Sequence, residues 1–326
     1  MDKKKVIAAA AAAVLFGTSG YLFLKPYFQQ TPSVISEGRS VEETVPEWGS
    51  TYTCGGEVWN LNRDLKTVAF FGIDTTGEPE PDPNIPVGIG GRADTILLSV
   101  LDEKNRTQKI FEVSRDTILS VDVYDHDGSF LYSGKMQINM QYAFGSSAER
   151  SCYLMKRKIS NLLYGIEVDG CCSLTIDGMV KIVDAMGGIP LTFTEDYSDI
   201  DPSYTVGSSV TMDGKEVQRF LRSRDTGVTG SNDARMARQK WFLGQMLSLL
   251  KQYPYDKILS WYEAAGSDAI SDLDAETMKK MAEYPVDPDT VKLPGETRRG
   301  ELHDEFILDE DALRTLILET FYVKAQ

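Results

Sequence analysis

Thr67–Asp74 reads TVAFFGID, and the fold hangs on how that stretch is read. It is an apolar, β-rich run that stops at a carboxylate. Two more runs share the design. Thr95–Leu101, TILLSVL, has Asp94 at its entry, and Lys109–Val113 runs into Ser114-Arg115-Asp116. Strands buried on both faces read as continuous apolar runs. Three such strands, each with a charged residue at one end, predict a buried sheet whose edge carries a site. Between the first two lies GEPEPDPNIPVGIGG, Gly77 to Gly91, expected as a mobile loop and a candidate lid.

Helical spacing appears next, at Cys152, Met155, Ile159, Leu162 and Leu163. Cys171 to Ile176 reads as a strand, and Asp177 is placed to cap a helix ending at Gly187-Gly188. Ile189 to Phe193 reads as another strand, and Gly214 to Leu221 as a helix. A last helix from Asp309 would bury Leu313, Leu316, Ile317 and Phe321. Strands alternating with helices predict an α/β fold, an α-β-α layered domain around a mixed central β-sheet.

The N-terminus adds a different element. Lys3, Lys4 and Lys5 precede an uncharged run from Val6 to Leu24, whose 19 residues approach the length of a bilayer-spanning helix. Basic residues before the run place the N-terminus in the cytoplasm and the bulk outside. A cleaved signal peptide is the rival reading, because Gly17-Thr18-Ser19-Gly20 are small; Tyr21-Leu22-Phe23-Leu24 favours an uncleaved anchor. The expected layout is a cytoplasmic end at 1–5, a single transmembrane helix at 6–24, an extracytoplasmic linker at 25–62 and a catalytic domain at 63–326. Trp48, Tyr52 and Trp59 hint that part of the linker docks on the domain.

Charge singles out one more stretch. The 326 residues carry 34 Lys+Arg against 49 Asp+Glu, a net charge of -15. Leu221–Lys240, LRSRDTGVTGSNDARMARQK, runs the other way, with Arg222, Arg224, Arg235, Arg238 and Lys240 against Asp225 and Asp233. A cationic island on an acidic chain points to a local anionic ligand rather than to nucleic acid. Arginine forks match phosphate oxygens in bidentate fashion. On an extended segment Arg222 and Arg224 would point to one side. Arg235, Arg238 and Gln239 would share a patch at the start of a helix that buries Met236, Leu243, Met246, Leu247 and Leu250. The plain alternative is a solvated face on an amphipathic helix.

Several function classes drop out. His126 and His303 stand far apart, which disfavours a His-rich zinc site or a His-based triad. There is no CxxC pair, P-loop or dinucleotide fingerprint.

The polar landmarks fall in a recognisable order: Asp74 after Gly72-Ile73, GRAD at Gly91–Asp94, SRD at Ser114–Asp116, INMQYAFG from Ile138, LRSRD from Leu221 and ARMARQ from Ala234. In this order and with the N-terminal anchor, the chain resembles the LytR-CpsA-Psr family of bacterial cell-wall enzymes, from about Asp64 through LPGE at Leu293 to the final helix. The resemblance implies a phosphotransferase in cell-wall biogenesis. It would move an anionic glycopolymer (teichoic acid or capsule), or its phosphosugar end, from an undecaprenyl-pyrophosphate carrier to a peptidoglycan hydroxyl. It implies Asp74 and Asp94 as ligands for Mg²⁺, with Mn²⁺ as an alternative. It implies Arg92, Arg115, Arg222, Arg224, Arg235 and Gln239 as pyrophosphate ligands, and Arg238 joins them by its place in the patch. Arg92 and Arg115 would also stabilise charge during transfer. Two carboxylates with a divalent cation and several arginines suit that charge. The acceptor hydroxyl needs a base, and Asp225 and Asp233 are candidates by proximity to the arginines. The family's KIN triplet reads Gln137-Ile138-Asn139 here.

Plainer roles stand beside these. Arg115 can pair with Asp116 or another carboxylate. Asn139 is expected to cap the segment that follows it. Asp125-His126-Asp127 reads as a polar turn before Gly128. Outside the cell, Cys54, Cys152, Cys171 and Cys172 allow disulfides, with one or both of the adjacent pair joined to Cys54 and Cys152 and the connectivity open. Two other functions use the same residues. A non-catalytic receptor for a polyprenyl phosphate or anionic polymer would need the arginines only. A pyrophosphate hydrolase would put water in place of the sugar hydroxyl.

Overall fold

The computed structural model describes residues 48–74, 91–125, 127–223, 238, 241, 242, 245, 246, 249, 252–287, 289–300 and 304–325. Strands β1 (Thr51–Cys54) and β2 (Glu57–Leu61) form the first hairpin. Next come β3 (Leu65–Ile73), β4 (Ala93–Asp102) and β5 (Thr107–Val113), each antiparallel to the one before. A second hairpin, β6 (Ile118–Tyr124) and β7 (Phe130–Gln137), leads to the short helix α1 (Met140–Ala143) and to α2 (Ala148–Leu162). The chain continues through β8 (Gly170–Thr175), α3 (Ile176–Met186), β9 (Ile189–Thr192), β10 (Ser209–Met212) and α4 (Gly214–Arg222). Its last third holds α5 (Tyr255–Glu263), β11 (Ala269–Ser271), α6 (Ala275–Glu283), β12 (Val291–Lys292), β13 (Gly295–Arg299), β14 (Asp304–Leu308), α7 (Glu310–Phe321) and β15 (Tyr322–Lys324).

Six strands make the central sheet, in the order β11-β8-β3-β4-β5-β12. It is mixed: β3 is antiparallel to β4 and parallel to β8. On one face, Ala69, Phe71 and Ile73 of β3 pack in a single core with Cys152, Met155 and Ile159 of α2 and Leu313, Ile317 and Phe321 of α7. The other face, with Val68 and Phe70, is equally closed to solvent. Burial on both sides explains why TVAFFGI shows no polar alternation. A second core gathers α3, α4 and residues 242 and 246, with Phe220 and Phe242 both fully buried.

The boundary between linker and domain moves upstream. Residues 48–62, expected within the linker, belong to the fold: β2 pairs with β15, and Trp48 is 6% exposed within the main core. Trp48 stacks on Tyr52 and Tyr164 at 4.1 and 4.8 Å between ring centroids. Short strands whose partner lies at the other end of the chain carry little local signal. The expected anchor at 6–24, residues 1–5 and 25–47, and the candidate lid lie outside the described residues. Among the described residues no helix is long and apolar enough to cross a membrane.

Three smaller expectations are corrected. The cap of α3 is Thr175, whose hydroxyl accepts from Gly178 N, rather than Asp177 in the first turn. Arg222 is the last residue of α4, so it is helical rather than extended. All four cysteines are free thiols, Cys54 exposed and the other three buried. Asp125 forms a polar turn with Gly128 and Ser129, its Oδ1 accepting from Ser129 N at 2.8 Å, while His126 lies outside the described residues.

Candidate functional site

Register brings the landmarks together. Ile73 pairs with Ala93 and Ile96 with Val113, so the exits of β3 and β5 flank the entry of β4; Ile73 also pairs with Thr175 at the exit of β8. The carboxyl ends of three parallel strands therefore meet at one edge, where α/β sheets commonly hold ligands. The β3/β4 register shifts between Gly72 and Ile73. At that irregularity Asp74 N and Asp94 N both donate to Arg92 O, at 3.1 and 3.0 Å. One carbonyl thus fixes the backbone of both carboxylate-bearing residues.

Their side chains interlock with cations. Asp74 Oδ1 accepts from Arg92 N at 2.6 Å, and its Oδ2 faces Arg92 Nη2 at 3.4 Å. The Asp94 side chain is 0% exposed and pairs with Arg115 Nη1, while Arg115 Nε sits 3.6 Å from Asp116 Oδ1. Three carboxylates thus face two guanidiniums. Burial, with the charge of Asp94 next, pushes Asp74 above the usual carboxylate range, and the nearby guanidiniums do not fully offset it. Burial alone would lower Arg115, but Asp94, Asp116 and Asp74 together hold it above its usual value.

Asn139 is the residue the sequence reading missed. Its side chain makes no cap for α1. Instead Nδ2 donates to Asp94 Oδ1 at 3.2 Å, and Oδ1 is buried without a hydrogen-bond partner. Its backbone is tied in as well, with Ala93 N donating to Asn139 O and Asn139 N to Arg115 O. The motif order marked Asn139 as part of a triplet, but nothing local distinguished a cap from an inward-facing amide. Gln137, two residues earlier, donates to Asp116 Oδ1 at 2.6 Å and to Asp304 O at 3.0 Å. It braces the outer carboxylate rather than supplying a cation.

The donor set fits a hard divalent cation. Asp74 and Asp94 offer carboxylate oxygens, Asn139 Oδ1 lacks a partner, and the negative charge is incompletely balanced. Among the described residues no group of three or more His, Cys, Asp or Glu could enclose a metal by itself.

The second cationic group is only partly visible. Arg222 is exposed at the end of α4. Arg238, expected to bind pyrophosphate, is buried: its guanidinium donates to Ser223 O and lies 5.5 Å from the Phe220 ring centroid. That geometry locks the exit of α4 to the following helical residues, and burial pushes Arg238 below its usual value. Arg224, Asp225, Asp233, Arg235 and Gln239 lie outside the described residues, as do Met236, Leu243, Leu247 and Leu250. The buried Met246 does meet the expectation for that helix.

Comparison with known proteins identifies the fold and the family. The polyisoprenyl-teichoic acid–peptidoglycan teichoic acid transferase TagU of Enterococcus faecalis is 25% identical over 229 residues, 68% of this chain and 66% of the relative. TagV of Bacillus subtilis, named for the same transfer, is 26% identical over 251 residues, 74% of this chain and 56% of the relative. Both matches span less than two thirds of the relative's own length. The crystal structure of protein gbs0355 from Streptococcus agalactiae superposes with a TM-score of 0.55 at 20% identity, covering 78% of this chain and 86% of that one. At that identity the likeness is one of fold, the mixed α/β domain described above. The LytR_cpsA_psr family model matches residues 34–313, a range that takes in both the Asp–Arg cluster and the cationic stretch, and the chain belongs to that family.

Proposed function

We propose that this chain moves an anionic glycopolymer, or its phosphosugar end, from an undecaprenyl-pyrophosphate carrier to a peptidoglycan hydroxyl. The observation that carries the reading is the interlocked array of Asp74, Arg92, Asp94 and Arg115 at the carboxyl end of the sheet, with Asp94 buried and the other three partly exposed. The names of its relatives, as transferases of polyisoprenyl-linked teichoic acid to peptidoglycan, support the donor and acceptor classes.

The chain's own residues would divide the work as follows. A guanidinium has five N–H donors. Among the described residues Arg92 commits one side-chain N–H to Asp74 and Arg115 one to Asp94, while Arg115 Nε also faces Asp116 as an ion pair. The remaining donors are available to pyrophosphate oxygens. Both guanidiniums are oriented before substrate arrives, which is what lowers the barrier for charge developing on a leaving phosphate. Removing one such donor costs about 3–4 kcal/mol in comparable electrostatic sites. Asp74, Asp94 and Asn139 would hold Mg²⁺. When bound, it would neutralise phosphate charge and orient the donor. Asp116, braced by Gln137, keeps Arg115 in place. Asp225 and Asp233 stay the candidates for the base. The run at 6–24 would anchor the chain with residues 1–5 in the cytoplasm and the catalytic domain outside, beside a membrane-borne donor.

The test uses the full-length chain in detergent, a radiolabelled polyprenyl-pyrophosphate-linked sugar, peptidoglycan oligomers and Mg²⁺ or EDTA. Label should reach the glycan with Mg²⁺ and be lost in Asp94→Ala and Arg224→Ala. Free sugar phosphate without acceptor labelling would make the chain a hydrolase. Donor binding without turnover, indifferent to Asp94→Ala, would make it a receptor.

A further inference from the structure

The hairpin β6–β7 carries an apolar end that the core does not cover. Near its base Val121, Val123 and Met136 are buried with Met140, Phe144 and Leu154. Toward its turn Phe130, Leu131 and Tyr132 are 38%, 44% and 40% exposed. The ladder explains the middle one. Tyr124 pairs with Phe130 and Val123 with Tyr132, so Leu131 is the extra residue of a β-bulge. A bulged residue is left out of the pairing, and a bulge can re-aim a side chain. The surface continues onto α2. The Phe130 ring centroid lies 5.8 Å from that of Tyr124. Arg150 sits 5.4 Å over Tyr124 and 4.9 Å over Tyr153, and Arg157 lies 6.0 Å from the Tyr153 ring. Tyr153 is itself 46% exposed. Large contiguous apolar surface left open to water marks an interaction site.

We propose that this end of the hairpin docks in the headgroup region of the bilayer, with Phe130 and Leu131 innermost. The inference rests on the anchor reading above, in which residues 6–24 span the membrane. The composition fits that occupant. Aromatic rings with polar tips, and arginines on long apolar stems, are the side chains that settle at a membrane interface. Net charge is not the drive. Arg150 and Arg157 stand near the exposed Asp127 and Glu149. Asp122 pairs with Lys158 at 3.2 Å, and Asp125 Oδ1 accepts from Asp127 N and Ser129 N within the turn. Apolar burial therefore supplies the gain. Reach favours the bilayer as well. Trp48 N donates to Tyr164 O just past the end of α2, roughly 20 Å along that helix from Arg150. A chain the length of 25–47 reaches at most about 80 Å. The bilayer is thus held near the patch at high effective concentration. The other end of the hairpin leads to the site, since Asp116 precedes β6 and Gln137 closes β7. Docking would hold the site within roughly 20 Å of the headgroups, the length of β6.

The test uses the full-length chain in vesicles of phosphatidylcholine, with and without phosphatidylglycerol, washed in alkaline carbonate. Leu131→Trp is compared with wild type, whose own tryptophans set the background. The control is Val206→Trp, on the loop between β9 and β10, where Val206 is 64% exposed. Lipids brominated on the acyl chain near the headgroup should quench Leu131→Trp well above both, in either lipid mixture and with little effect of salt. Adding Phe130→Ser and Tyr132→Ser should lower the docked-to-free ratio by at least about tenfold, through lost apolar burial. Retention after the wash, with Leu131→Trp quenched no more than Val206→Trp, would overturn the docking and leave the anchor standing. Release by the wash would overturn the anchor, and the docking with it. Leu131→Trp shielded from iodide but not quenched by the lipids, increasingly so at higher protein density, would overturn the bilayer as occupant and assign this face to a second copy of the chain.

Discussion

Asp94 has no exposed side-chain surface, and two neighbours, Arg115 and Asn139, hold its carboxylate oxygens. The first is obvious from charge, the second is not. Asn139→Ala removes the donor to Asp94 Oδ1 and a buried amide oxygen that has no partner. A buried acceptor left short of a donor costs about 1–3 kcal/mol, measurable as a drop in unfolding free energy. Groups that orient a metal ligand typically cost about 10- to 100-fold in metal affinity or activity when removed. A Mg²⁺ titration followed by thermal shift should show that loss in Asn139→Ala. An unchanged titration would mean that Asn139 only braces the backbone between Ala93 and Arg115. The carboxylates and Arg115 were legible because charge at the end of an apolar strand is conspicuous. Asn139 was not, since an asparagine before a helix reads as a cap until the tertiary contact appears. Arg238 read as a ligand among arginines; its guanidinium is buried against Ser223 O and the Phe220 ring, with Nε left without a partner among the described residues.

Elements of the central sheet were legible for a physical reason. Burial on both faces selects unbroken apolar runs, and β3, β4 and β5 fall within two residues of where those runs predict them. The hairpin β1–β2 was not legible, because its strands are short and mostly exposed and its outer partner is β15. Contacts between elements also depend on single residues. A Cβ at Gly214, the first residue of α4, would lie 2.4 Å from Val180 O of α3, and backbone cannot swing aside as a flexible side chain can. Gly214→Ala should therefore cost about 1–3 kcal/mol and displace Arg222 at the far end of the same helix. Denaturant unfolding tests this, and a neutral effect would mean that α3 and α4 slide apart freely. At the sheet edge, Asp272 beyond β11 accepts from Cys171 N at 2.6 Å and pairs with Lys156 of α2 at 2.8 Å. Burial opposes its charge, but these partners win and hold it below its ordinary value of 3.8. A lowered carboxylate contributes stability above its unfolded pKa and loses it as pH falls through the folded one. Asp272→Asn should thus be less stable than wild type by about 1 kcal/mol at pH 7, with the gap closing in acid below the ordinary carboxylate value. A gap that persists in strong acid would assign the loss to packing.

At the scale of the molecule the two ends of the fold close on each other. Trp48 N donates to Tyr164 O, Tyr322 Oη donates to Gly49 O at 2.8 Å, and β15 runs beside β2. The closure bears on the site through one continuous path. Asp116, which faces Arg115, accepts from Phe306 N of β14. From β14 the chain enters α7, and α7 passes directly into β15. A chain beginning at residue 63, where composition places the domain boundary, would lose Trp48 and the whole partner of β15. Truncating a buried Trp alone costs about 3–5 kcal/mol. That is a large share of the roughly 5–15 kcal/mol that a typical fold retains. A chain beginning at 48 should therefore melt as one cooperative unit, whereas one beginning at 63 should melt far lower or fail to stay soluble. If the shorter chain does fold, the path predicts where it is weakened: hydrogen exchange should quicken first along α7 and β14, and only then at Asp116. Equal melting temperatures for the two chains would show that the hairpin is an ornament and that α7 is held by the sheet alone.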